Sequence, residues 1–230
     1  MGGLLLKAIS RCGKIRAEKM RRVIYCITLV ILGFVFPAIA AQRADLDAFL
    51  AGLRQHSAEV VSLAGPFTQE KRLAMFDRPV VFTGKLAMAR PNRLRWEFID
   101  PVLSVLIFDG ETGMRCSDRG DPVVFDMTKD PVMRAVGGQL QLWISGDFAA
   151  MEDRYALRLE KPATLVVTPV SEKEKEYIAS VVITFAQPSM QPAEVTINEA
   201  GGDTTRIVFG EPMVNGALAD ELFRSCWIDD

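Results

Sequence analysis

The chain has 230 residues, with 27 Lys and Arg against 29 Asp and Glu, a net charge of −2 and a single histidine. Its first 40 residues hold seven of the basic groups and one of the acidic ones, so residues 41–230 carry 20 basic and 28 acidic groups, a net charge of −8. That balance argues against a nucleic-acid partner, and the length fits one domain with a sizeable core.

The N-terminus reads as an export signal. Met20-Arg21-Arg22 supplies a basic n-region, Val23 to Phe36 an apolar run, and Ala38-Ile39-Ala40 the small residues at which a signal peptidase cuts. The run is short for a bilayer span. Cleavage after Ala40 is expected, leaving a single exported domain at residues 41–230; an uncleaved anchor is the rival reading. Met20 stands directly before the n-region, so residues 1–19 are either a mis-assigned start or a long basic extension. In an oxidising compartment the remaining cysteines, Cys116 and Cys226, either pair or stay as two thiols, and Cys116 is the better suited to burial.

Next, Leu46, Phe49, Leu50 and Leu53 recur at i, i+3, i+4 and i+7 and predict an amphipathic helix, with Asp45 placed to cap its start. Extended segments follow at hairpin spacing near 60–73, 79–90, 92–99, 103–109, 112–118, 155–160, 163–169, 177–186, 192–198 and 204–210. Asp109-Gly110, the charged run Ser171 to Glu176 and Gly201-Gly202-Asp203 mark turns between them. Strands in series without intervening helices predict an antiparallel sheet large enough to curl. Residues 129–151 interrupt it. There Val132, Met133, Val136, Leu140 and Ile144 fall at helical spacing, Gly137-Gly138 and Ser145-Gly146 break the pattern on both sides of Trp143, and Asp147 is placed to cap a second short helix.

Function begins to show when the strands are read face by face. Val80, Phe82, Gly84, Leu86, Met88 and Arg90 share one parity, and on the next strand Leu94, Trp96 and Phe98 share a face while Arg93, Arg95 and Glu97 take the other. A curved sheet with so apolar a face must close, pair with another sheet or be plugged by helices. Only the opening helix and the glycine-broken segment are available as plugs. Displacing such a plug would expose a lipid-sized cavity lined by Phe82, Leu86, Met88, Leu94, Trp96 and Phe98. Met75, Met88, Met114, Met127, Met133 and Met151 are further candidates for a tolerant apolar lining or for ordinary gap-filling.

Phe67-Thr68-Gln69, Gly84, Arg90-Pro91-Asn92, Trp96, Pro101 and Asp109-Gly110, in that order after an amphipathic helix, resemble the LolA family of periplasmic outer-membrane lipoprotein carriers. The resemblance runs from about Leu46 to Phe223 and is tightest from Phe67 to Gly110. It implies an incomplete antiparallel β-barrel covered by a short α-helical lid, for which the segment with Val132, Val136, Leu140 and Trp143 is the candidate. It further implies a cavity for the acyl chains of lipoproteins received from an inner-membrane ABC transporter or lipid exporter and passed to an outer-membrane acceptor. By the same resemblance Arg90 locks the barrel rim to the lid, Leu94 lies on the rim and handles cargo, and the protein is a periplasmic monomer without a cofactor. The chain departs from the pattern after Asp109-Gly110, where Met114-Arg115-Cys116 replaces aromatic residues, and in a lid rich in Gly and Met. Another acylated lipid as cargo, or a lipid-sensing regulatory module on the same fold, are the alternatives.

No catalytic assembly accompanies these features. His56 sits at the end of the first helix, where the helix terminus accounts for it, no nucleophile motif is present, and two cysteines and one histidine lack metal-ligand spacing. A non-enzymatic protein is expected.

Overall fold

The computed structural model describes residues 42–130, 133, 148–160 and 163–228. The expected signal segment and the candidate lid positions Val132, Val136, Leu140 and Trp143 lie outside the described residues. The chain divides into two compact units, Met1–Asp47 and Ala48–Asp230. The described part of the first is the opening of helix α1 (residues 42–58), where Arg43 Nε pairs with Asp47 Oδ1 at 3.0 Å, one turn on. Helix is already present at residue 42, so Asp45 lies within it rather than capping its start.

The second unit carries the remainder of α1 and the strands β1 (Ser62–Arg72), β2 (Val80–Ala89), β3 (Arg93–Asp100), β4 (Ser104–Asp109), β5 (Thr112–Ser117), β6 (Gly120–Asp126), β7 (Tyr155–Glu160), β8 (Thr164–Pro169), β9 (Ile178–Phe185), β10 (Pro192–Glu199), β11 (Thr204–Phe209) and β12 (Met213–Val214). They form one antiparallel sheet in the order β6-β5-β4-β3-β2-β1-β11-β10-β9-β8-β7, with β12 paired to β1. β6 and β7 are its edges, so the sheet is curved and open. Each of the ten expected segments overlaps a strand to within two residues. β6 and β12 were not expected: β6 opens on Gly120-Asp121-Pro122, which reads as turn, and β12 has two residues. Gly110 (φ 68°) supplies the left-handed residue of the β4–β5 hairpin, and Gly202 (φ 90°) does so between β10 and β11. The charged run after β8 is more ordered than a plain turn, since Glu172–Lys175 form a short helix, α2.

Period-two alternation delivers two apolar faces, not one. The inner face carries Leu63 and Phe67 of β1, which register against Met88 and Gly84 of β2, and Met88 and Leu86 in turn register against Leu94 and Trp96 of β3. On the outer face Ala87, Ala89, Val105, Ile107 and Cys116 form a buried cluster with Phe223 and Cys226 of the C-terminal tail. Cys116 and Cys226 are joined by a disulfide, their Cα atoms 5.7 Å apart. Arg95, on the face the sequence assigns to charged groups, is 2% exposed. It donates from Nη1 to the Leu222 and Ser225 carbonyls at 3.2 and 2.8 Å, from Nη2 to the Cys226 carbonyl at 2.9 Å, and from Nε to Glu97 Oε2 at 2.9 Å. Arg93 lies over the Phe223 ring, 4.9 Å from its centroid, and its bond to Asp220 (2.7 Å) holds that carboxyl below its usual range. The buried arginine is therefore a staple for the tail, a role that its strand parity alone does not reveal.

Candidate functional site

The inner face of β1–β3 and β9–β11, together with α1, lines an apolar cavity that is partly open to solvent. Leu86, Met88, Leu94 and Trp96 border it as the sequence suggests. Leu53 and Val60 come from α1 and its exit, Ile183 and Phe185 from β9, Val195 from β10 and Phe209 from β11. Period-two parity on β9 and β10 held the signal for those strand residues, but nothing local to them says that they face β2 and β3 across the curve. Phe82 and Phe98 lie on the same face without bordering the cavity. They continue a row of packed rings: Phe67–Trp96 at 4.4 Å between centroids, Phe67–Phe98 at 5.5 Å and Phe82–Phe98 at 5.5 Å.

Gly84 makes this row possible. A Cβ at that position would stand 2.1 Å from the Glu97 carbonyl oxygen and 2.5 Å from the Phe67 ring. Without it, Phe67 lies across β2 and reaches Trp96 on β3. The sequence features Phe67, Gly84 and Trp96 are thus one packing unit.

Among the described part of the segment 129–151, Phe148–Met151 form a 3-10 turn. Phe148 and Met151 are buried, and Phe148 meets Phe185 edge-on at 5.9 Å on the cavity wall. At the other end Asp126 Oδ1 accepts from the Thr128 amide and hydroxyl at 2.8 and 2.6 Å, and Met133 donates its amide to Asp130 Oδ1 at 3.0 Å. Those bonds, with Lys129, pull the Asp126 carboxyl down from 3.8 to about 2. Of the methionines considered, Met88 borders the cavity, Met151 is buried, and Met75 is 82% exposed, at the tip between β1 and β2 where no wall exists. Met190, not considered, is on the cavity wall.

Arg90 follows β2 directly. Its Nε donates to the Val60 carbonyl at 2.7 Å and its Nη2 to the Ser57 carbonyl at 2.8 Å, while its amide donates to Val61 at 2.9 Å. Its described partners thus belong to the end of α1, not to the segment after β6. Ser57 and Val60 also border the cavity, so the arginine grips part of the wall. The open space inside is about 80 Å³, small beside the ~300–1,000 Å³ of pockets that hold drug-sized ligands.

Nothing in this lining is reactive. Its polar members are Ser57 and Gln191, and among the described residues no group of three or more His, Cys, Asp or Glu is placed to hold a metal. His56 Nδ1 lies 2.9 Å from the Gly52 carbonyl, four residues earlier on α1. Among the described residues no helix is long and apolar enough to cross a membrane.

The family model for the outer membrane lipoprotein carrier protein LolA matches residues 58–226, which takes in the sheet, the cavity and the tail. The chain belongs to the LolA family. An outer-membrane lipoprotein carrier protein of Halorhodospira halophila is 28% identical over 205 residues, covering 86% of this chain and 88% of that protein. One from Xanthomonas axonopodis is 28% identical over 214 residues, covering 89% and 92%. In structure, an uncharacterized conserved protein from Thermus thermophilus shares the fold at a TM-score of 0.51 and 9% identity, covering 78% of this chain and 93% of that one. This LolA-family half-barrel carries its apolar cavity on the inner face of the sheet and the tail staple on the opposite side.

Proposed function

We propose that this LolA-family chain is a periplasmic carrier that takes the acyl chains of lipoproteins into its cavity and moves them from the inner to the outer membrane. The observation that carries the reading is the apolar, partly open cavity bordered by Leu86, Met88, Leu94 and Trp96. With a lining this apolar and this poor in reactive groups, the site offers burial rather than chemistry. At about 80 Å³ the pocket is too small for acyl chains until its walls part, and Arg90, bonded to two carbonyls at the end of α1, is the lock that must release. Phe82 and Phe98 extend the apolar surface available once they do, and Val132, Val136, Leu140 and Trp143 supply the apolar side of a lid. Export with removal of residues 1–40 leaves 41–230 as the single carrier domain. An inner-membrane ABC transporter supplies the cargo and an outer-membrane acceptor receives it.

Delipidated mature protein titrated with a triacylated lipopeptide tests the reading, with tryptophan fluorescence and mass spectrometry of co-purified lipid as readouts. Saturable binding that an apolar naphthylamine dye competes for is the expected result. A protein that binds neither lipopeptide nor dye, and carries no lipid from the periplasm, overturns it.

A further inference from the structure

Helix α1 ends at Ala58-Glu59-Val60 with no glycine to fold its last carbonyls back on themselves. The Ser57 carbonyl takes the Val60 amide at 3.1 Å, and the Ser57, Glu59 and Val60 carbonyls all accept bonds from distant side chains as well. Arg90 holds Ser57 and Val60, and Asn215, beyond β12 and at the root of the C-terminal tail, donates from Nδ2 to the Glu59 carbonyl at 2.9 Å. The same side chain returns Oδ1 to the Val61 amide at 2.8 Å and the Ser62 amide at 3.4 Å. Its backbone amide donates to the Ser62 carbonyl at 2.8 Å, and Ser62 Oγ donates to the Gly216 carbonyl at 2.7 Å.

Asparagine suits this place on two counts. Asn215 has φ 57°, a left-handed conformation that glycine and asparagine adopt far more readily than other residues, and a primary amide both donates and accepts, as the junction demands. Farther along, the tail is fixed to the outer face by the three carbonyl bonds of Arg95 and by the Cys116–Cys226 disulfide. A wall element of the inner cavity is thereby tied, through eleven residues of tail, to a covalent anchor on the other side of the sheet.

We propose that Asn215 is a positioning residue for the closed cavity: a second latch on the end of α1, held in place by the disulfide-anchored tail. The purpose assigned to the latch rests on the carrier reading; its existence as a hold on residues 59–62 does not. The bonds from Asn215 to Glu59 and Val61 are solvent-exposed, so water replaces them readily and the latch is reversible.

The test uses the mature, disulfide-intact protein with Asn215→Gly, which keeps the left-handed backbone but deletes all three side-chain bonds, and Asn215→Asp, which keeps the acceptor and loses the donor. Amide hydrogen exchange of residues 59–62, release of a bound naphthylamine dye and the thermal midpoint are measured together. Asn215→Gly is expected to speed exchange at 59–62 and dye release about tenfold, as loss of exposed neutral hydrogen bonds implies, with Asn215→Asp between it and wild type. Paired Cys116→Ser and Cys226→Ser substitutions should speed dye release as well, and add little on top of Asn215→Gly, because the tail then has nothing left to hold. Faster exchange at 59–62 with unchanged dye release overturns the proposal, since Asn215 would then only tidy a helix end. If wild type takes up no dye, the carrier reading fails instead, and unchanged exchange at 59–62 in Asn215→Gly overturns the latch on its own.

Discussion

Arg90 Nη2 donates to the Ser57 carbonyl at 2.8 Å, joining the end of a strand to the last turn of a helix 33 residues earlier. The charged donor adds to the bond that the Ser57 carbonyl takes from the Val60 amide, and hydrogen bonds to charged groups contribute roughly 1.5–3 kcal/mol. Because Ser57 also borders the cavity, that energy bears on whether the cavity is open or shut.

Arg90→Leu should therefore keep the fold and shift the balance between open and shut by tenfold or more. A leucine at the rim adds apolar surface and removes the polar contacts that favour emptying, so cargo should load and then fail to leave. Transfer of bound lipopeptide from the variant to acceptor vesicles or an acceptor protein is the measurement, and transfer at the wild-type rate would contradict the lock.

Gly84→Ala should destabilise the protein by about 2–4 kcal/mol, near the upper end for overpacking, because one of the atoms it meets is the backbone carbonyl oxygen of Glu97 at 2.1 Å and cannot swing aside. Chemical denaturation checks this. A second substitution that shortens Phe67 should recover little of the loss, since the carbonyl clash remains.

Arg95→Met removes the donor to three tail carbonyls from a site that is 2% exposed. Leaving buried polar groups unpaired costs about 3–5 kcal/mol when one partner is charged. The tail should become a substrate for limited proteolysis near Ser225 in the reduced protein, while the disulfide keeps the fragment attached in the oxidised one. Equal resistance to wild type in the reduced state would show that the staple is unimportant.

Asp126 gives a pH dependence. Its carboxyl is held at about 2 by bonds from Thr128 and Lys129, below the usual carboxylate value, so the contribution is fully present above about pH 4 and lost as pH falls toward 2. Protection of the Thr128 amide, read as its exchange rate relative to that of an unstructured amide at the same pH, should fall across that window in wild type. In Asp126→Asn the rate should already be raised at neutral pH and show no such step.

The strands were legible because alternation and turn chemistry are local: Asp109-Gly110 and Gly201-Gly202-Asp203 sit where the chain reverses. The inner face of β2 and β3 was legible for the same reason. The outer face was not. Ala87 and Ala89 look like fillers and Arg95 like a solvated charge until the tail is laid over them, and Leu218, Leu222 and Cys226, spaced by four, were the signal that a covering segment existed. Arg90 could be singled out by its place after the apolar parity set, but its partners at Ser57 and Val60 follow from how the strand end meets α1. Asn215 stood in no pattern at all, because a residue chosen for its backbone angle and its amide leaves no periodicity behind.

The two edge strands, β6 and β7, are neighbours in sequence order yet lie at opposite ends of the hydrogen-bonded path. In a closed barrel, widening the bore means breaking ladder bonds or adding a strand. Here the sheet behaves as a leaf spring: spreading β6 from β7 changes curvature alone, shared among all the intervening strand pairs, and leaves every ladder bond intact. On the carrier reading proposed above, capacity is then set by stiffness rather than by strand number, which gives one chain of this design the means to fit cargoes with different numbers of acyl chains.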